Sequence, residues 1–223
     1  ERLDLLALDK DGNLVLESTV PSEDTARLLD ELAGCRPLAV VVETCPSWPW
    51  IHEVLVPEGI EFHLAHAKHL RMSAHNAQKN DAVDARLLAR MLLAGLIPEA
   101  YPRVGSQRDQ LRLVRHHARL VRQRTLLVNR IHAQLHERRL FLAREKLLRQ
   151  EGRQWLTTEA WPRLTLEQRQ IVTTHLELIE VLDRQIREIR KRIVRTAREV
   201  PAAELLRTVP GIGAYWGLLL ASE

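Results

Sequence analysis

Cysteine is nearly absent from the 223-residue chain: Cys35 and Cys45 stand alone, at no metal-ligand spacing. That excludes a disulfide-stapled secreted domain and a cysteine-built zinc site. No run of about 18 apolar residues occurs, which excludes a membrane-spanning helix. The first residues carry no charged-then-apolar leader pattern, so the expectation is a cytoplasmic protein. Between Gln107 and Glu151 there is neither proline nor glycine, so nothing there punctuates a helix. The same region is poor in acid. Residues 101–150 hold thirteen Arg or Lys against Asp109, Glu137 and Glu145, a net +10 that leaves −6 for the remainder. An overall charge of +4 conceals this asymmetry. It points to a polyanionic partner, nucleic acid before membrane, because arginine dominates. The alternative is a solvated helix face.

What the first hundred residues contain reads as α/β. "LDLLAL" and "LVLESTV" flank "DKDGN", the composition of a hairpin turn. "PSEDTARLLDELAG" predicts a helix capped by Ser22 and stopped at Gly34. "PLAVVVE" is a continuous β-branched run of the kind found in a strand buried on both faces. A helix in "WPWIHEVLVPEG" and a strand in "IEFHLA" follow. The order β-β-α-β-α-β predicts one mixed sheet covered by helices.

Glu43 closes the valine-rich run, at the carboxyl end of a central strand, where open α/β sheets bind ligands. Unpaired in an apolar setting, its carboxylate needs a cation; beyond the sheet, water suffices. Asp81 and Asp84 are three apart at the start of a predicted helix and share a face. They either complement the helix N-terminus or hold a cation between them. A strand-borne Glu with an Asp-x-x-Asp helix is the hard-oxygen set that holds Mg²⁺ for phosphoryl transfer in ribonuclease-H-like nucleases.

Four stretches, "LDLLALDKDGNLV", "VVVETCPSWPW", "KNDAVDARLLARML" and "LLRTVPGIGAYWGLLLA", together resemble the DEDD-type insertion-sequence transposases related to the Piv DNA invertase. Some members of that family are guided by a bridge RNA. Lys79, Asp81, Asp84, Ala85, Leu88 and Ala89 fill its Lys-x-Asp-x-x-Asp-Ala-x-x-Leu-Ala pattern. The resemblance implies a RuvC-like (ribonuclease H fold) domain over residues 1–100, with Glu43, Asp81 and Asp84 as catalytic ligands of two Mg²⁺ ions. It also implies metal-dependent DNA strand cleavage and exchange, a structured guide RNA as a second nucleic-acid partner, and a homo-oligomer. The family's first Asp is expected upstream of Glu1, with Asp9 as the fallback. Its nucleophilic Ser is expected beyond Glu223, since Ser222 matches no such motif.

From Gln107 to about Arg149, apolar residues recur at a period near 3.5 (Leu111, Val114, Val121, Val128, Leu135, Leu142), which predicts a long basic helix or a pair, packed as a coiled coil over residues 101–203. Arg112, Arg115, Arg119, Arg122 and Arg130 are the candidate phosphate contacts. A second periodic segment from Thr165 to Val200 is its expected partner, within the chain or across a dimer. Residues 204–223 predict the start of a helix-hairpin-helix-like domain, in which Gly211 and Gly213 adopt positive φ and approach a phosphate. Lys68, Arg71 and Lys79 precede the Asp pair and are candidates to grip DNA. Two rivals stand beside the transposase reading. One is a RuvC-like structure-specific nuclease, and the other a non-catalytic coiled-coil nucleic-acid scaffold.

Overall fold

The computed structural model describes residues 2–66 and 81–223, which form two compact units, Glu1–Arg103 and Val104–Glu223.

The first unit opens with the expected hairpin, β1 (Arg2–Leu8) antiparallel to β2 (Leu14–Pro21). Its turn is organised by Asp9, whose carboxylate accepts the Asp11 and Asn13 amide N–H groups at 2.9 and 2.8 Å and the Asn13 side-chain amide at 2.9 Å. Gly12 supplies the left-handed φ of 84° that the turn requires. Helix α1 (Thr25–Ala33) is capped by Asp24 rather than Ser22, the Asp24 carboxylate accepting the Arg27 N–H at 3.0 Å. Strand β3 (Ala39–Glu43), helix α2 (Trp48–Leu55) and strand β4 (Glu61–Ala65) follow, with β3 and β4 parallel and in register from Ala39–Glu61 to Glu43–Ala65. Helix α3 (Asp81–Leu93) packs against both β1 and β3.

The element order is the one read from the sequence, but the sheet differs. Among the described residues there are two separate two-stranded sheets, β1–β2 and β3–β4, in place of one mixed sheet. The core gathers Val20, Leu28, Leu32, Ile51, Leu55 and Ile60, with Trp50 packed against it. At about 1.5–3 kcal/mol for each large apolar side chain taken from water, this cluster holds α1 and α2 to the strands.

The second unit is helical: α4 (Gly105–Glu137), α5 (Gln150–Trp155), α6 (Leu166–Glu199), α7 (Pro201–Leu206) and α8 (Ala214–Ser222). Helices α4 and α6 lie antiparallel. Arg124 meets Asp183 at 2.5 Å, while Arg138, just past the end of α4, donates to Gln168 near the start of α6 at 2.8 Å. The second periodic segment therefore finds its partner within the chain. Thr165 caps α6 with a reciprocal capping box to Gln168.

Helix α4 stops at Glu137, twelve residues before the apolar periodicity fades, so Leu142 is not on its stripe. Arg139 turns to φ 53°, the Leu140 N–H bonds the Leu135 carbonyl at 3.0 Å and the Arg139 N–H bonds the His136 carbonyl at 2.9 Å. This is a Schellman termination with arginine where glycine is usual. Leu140 and Leu147 then fold back into the core beside Leu135, Leu156 and Ile179. Residues 204–223 pack within this unit, as Ala203 and Leu218 share a cluster with Val114, Ile193 and Ala197.

Candidate functional site

The candidate site is built on the end of β3 and the start of α3. The valine run places Glu43 last on β3, paired in register with Ala65 of β4. Its side chain is half-buried, and among the described residues it makes no hydrogen bond or ion pair. A partially desolvated carboxylate with no protein partner fits a hard divalent cation. Asp81 and Asp84 occupy the first turn of α3. Ala85, the next residue after Asp84, lines the same cavity of about 1090 Å³ that Glu43 lines, as do Leu88 and Ala89. The family-pattern alanines thus leave room beside the strand. Among the described residues no group of three metal-ligating side chains gathers. Lys68, Arg71 and Lys79 lie outside the described residues.

Other acids near the site have partners. The three hydrogen bonds in the hairpin turn engage Asp9, and the Asn13 side-chain amide, followed by the Asn13 backbone amide, holds its carboxyl below the usual range. Asp4 accepts the Thr19 hydroxyl at 2.8 Å. Asp9, the fallback for a first ligand, is therefore a turn residue here. Arg86 reaches Glu17 of β2 at 3.7 Å. His63 bridges two carboxylates, Glu99 at 2.6 Å and Glu61 at 3.1 Å, and also lines the cavity, a pairing the sequence reading did not foresee. Glu61 lies two residues away on the same strand, a signal that was available. Glu99 arrives through the backbone bridge between Ala65 and Glu99, which was not.

In the second unit, Arg112, Arg115, Arg119, Arg122 and Arg130 are all exposed. At 100° per residue they fall in one arc of about 80°, opposite Val128, Ile131 and Leu135, three of the six residues α4 buries, with buried Leu111 at the edge of the arc. From Arg112 to Arg130 the row runs about 27 Å along the helix. Two of the five have acidic neighbours, Arg112 near Asp109 at 3.9 Å and Arg115 with Glu223 at 2.6 Å. Both pairs are exposed, where such contacts contribute about 0–1 kcal/mol and exchange readily for phosphate.

The glycine turn between α7 and α8 is half as expected. Gly211 has φ 89°, while Gly213 has φ −84° and serves as the N-cap of α8, its carbonyl accepting the Gly217 N–H at 2.9 Å. The cap needs an extended backbone, which is why only the first glycine turns left-handed. Ser222 is buried and its hydroxyl donates to the Leu218 carbonyl at 2.7 Å, a helix back-bond.

Among the described residues no helix is long and apolar enough to cross a membrane. A model of the IS110-type DEDD family, described as transposase, matches residues 1–139. No curated protein matches the chain.

Proposed function

Because the chain belongs to the IS110-type DEDD transposase family, we propose that it is a recombinase of an insertion sequence, with a RuvC-like catalytic unit that uses Glu43, Asp81 and Asp84 to hold Mg²⁺. The observation that carries this reading is Glu43, a half-buried carboxylate with no partner among the described residues, on a cavity shared with the helix that bears the Asp pair. When bound, divalent ions on such a set polarise a phosphodiester and stabilise the attacking and leaving oxygens. The chain's own residues position that chemistry. Strand β3 fixes Glu43 through its register with β4, and the small side chains Ala85 and Ala89 keep α3 from filling the space beside it.

The outer arginine row of α4 holds the DNA backbone without reading its sequence. A structured guide RNA is a second polyanion of the same chemistry, and the row fits either. The coiled-coil pair of α4 and α6 is the scaffold through which copies of the chain assemble. Glycine-turn contacts at Gly211, and phosphate contacts by Lys68, Arg71 and Lys79, belong to this reading too.

The test is titration of Mn²⁺, as a stand-in for Mg²⁺, into the chain and into Glu43→Gln, Asp81→Asn and Asp84→Asn, followed by calorimetry and by DNA-binding assays. Loss of at least about tenfold in metal affinity in each variant, with DNA affinity retained, supports the reading; each lost ligand oxygen removes roughly 1.4 kcal/mol or more at that ratio. Undiminished metal binding in all three would leave a non-catalytic nucleic-acid scaffold.

A further inference from the structure

The chain holds two phenylalanines, and they sit in opposite settings. Phe62 packs against the core of the first unit, whereas Phe141 of the second unit is 70% exposed. That exposure follows from how α4 ends. With Arg139 in the left-handed conformation, Leu140 enters the core, and Leu142 packs against the same cluster. Phe141 lies between two anchored neighbours and is turned outward by them. Among the described aromatic side chains its ring meets His136 alone, at 5.2 Å between centroids and a tilt of 46°. His136 in turn meets the buried His132 edge-on at 6.0 Å, so the exposed ring ends a short aromatic row rooted in the core. Single exposed apolar residues are common; the setting of this one is not.

Residues 138–149 carry five Arg or Lys against Glu145 alone. Arg139, Arg144, Lys146 and Arg149 are exposed, and none of the four is in an ion pair among the described residues. The ring is also continuous with the arginine row of α4. His136 lies about 9 Å beyond Arg130 along the helix axis, and at 100° per residue about 40° outside the arc of the row. A strand whose phosphates follow the row therefore arrives at the ring.

We propose that Phe141, backed by His136, is a stacking platform for one unpaired nucleobase of a strand whose backbone lies along the arginine row of α4. Every base has a π-face, so a phenylalanine ring holds it without selecting its identity, while cations around the ring take the adjoining phosphates. A base inside a duplex has both faces covered by its neighbours and offers the ring nothing. The row binds paired and unpaired strands alike, and the platform adds affinity only where pairing ends. An apolar protein segment would cover the ring equally well but leaves the surrounding cations without counter-charge. The proposal rests on the reading of α4 as a nucleic-acid surface and is independent of the metal site.

The experiment is fluorescence anisotropy on the 223-residue chain with three probes that share one short DNA duplex: blunt-ended, with a short single-stranded overhang, and with the same overhang made abasic. The overhang should raise affinity by about fivefold to a hundredfold over the blunt duplex, the range expected for one stacked base, and the abasic overhang should lose most of that gain. Phe141→Ala and Phe141→Leu should both remove the gain, Phe141→Trp should keep it, and blunt-duplex affinity should stay the same in all three. The salt slope should not change in these variants, since stacking releases no counterions. Repeating the overhang in RNA identifies the source of the base: the tighter of the two sugars is the strand the platform serves. Helical circular dichroism and size-exclusion chromatography with light scattering accompany each variant. Equal affinity for blunt and overhang probes, a full gain in Phe141→Leu, or a change of oligomeric state in Phe141→Ala would overturn the platform. Blunt-duplex binding that persists in those cases leaves the arginine row standing, whereas no binding of any probe overturns row and platform together.

Discussion

At the scale of single residues, burial rather than formal charge decides behaviour. His132 of α4 is 4% exposed and its Nε2 has no hydrogen-bond partner. Burial first, then the nearby His136 and Arg144, hold its pKa below the ordinary 6.5. His117 and His175 are lowered for the same leading reason. The folded state therefore resists a proton that the unfolded chain accepts near pH 6.5, and stability is full above that pH and declines as pH falls below it. Thermal unfolding at pH 8 and pH 5.5 is expected to show a lower midpoint at the acidic pH, with a smaller drop in His132→Leu. An equal drop in the variant would assign the acid sensitivity to other groups. The histidines were visible in the sequence, but their protonation was not, because desolvation depends on which helix packs over them. The same holds for Asp9: its place between a hydrophobic run and a glycine marked a turn, and only the closed turn showed all three of its hydrogen bonds.

At the scale of elements, most of the boundaries were legible because they rest on local chemistry. The Thr165–Gln168 capping box starts α6 where the pattern begins, and the "DKDGN" turn joins the first two strands. The end of α4 was not legible. Neither glycine nor proline marks it, and the break is made by Arg139 in a left-handed conformation, which costs a non-glycine residue roughly 1–2 kcal/mol. Packing offsets that cost, because Leu140 and Leu147 become 3% and 0% exposed once the chain turns back. Arg139→Gly is accordingly expected to raise the unfolding free energy by about 0.5–1 kcal/mol, measured by urea denaturation with unchanged slope. A destabilised Arg139→Gly would show that the arginine side chain contributes more than its backbone strain costs. Gly152 tests the same fold-back from the other side. A Cβ there would meet the Lys146 carbonyl oxygen at 2.0 Å, so Gly152→Ala is expected to cost about 3 kcal/mol or more in the same assay.

At the scale of the molecule, the charge asymmetry becomes a surface. Five arginines spread through the sequence from Arg112 to Arg130 form one exposed row because the apolar residues between them turn the opposite face of α4 inward. If that row neutralises phosphates, the logarithm of DNA affinity falls with the logarithm of salt by about 0.9 for each contact. Replacing Arg119 and Arg122 together with glutamine is then expected to reduce that slope by about 2 and to weaken binding to unrelated DNA sequences alike. Filter binding or anisotropy between 50 and 200 mM salt measures it, and an unchanged slope would place the DNA elsewhere.

By itself the amino-acid order determined the element succession of the first unit, the partnership of the two long periodic segments and the basic side of α4. Each of these follows from periodicity and local caps, which act over a few residues. Tertiary structure alone decided that α4 ends at Glu137, that the described strands of the first unit pair as two sheets, and that Glu43 lines a cavity with α3. Those outcomes depend on which distant groups compete for the same buried space and the same backbone hydrogen bonds, and that competition has no signature within any one stretch of chain.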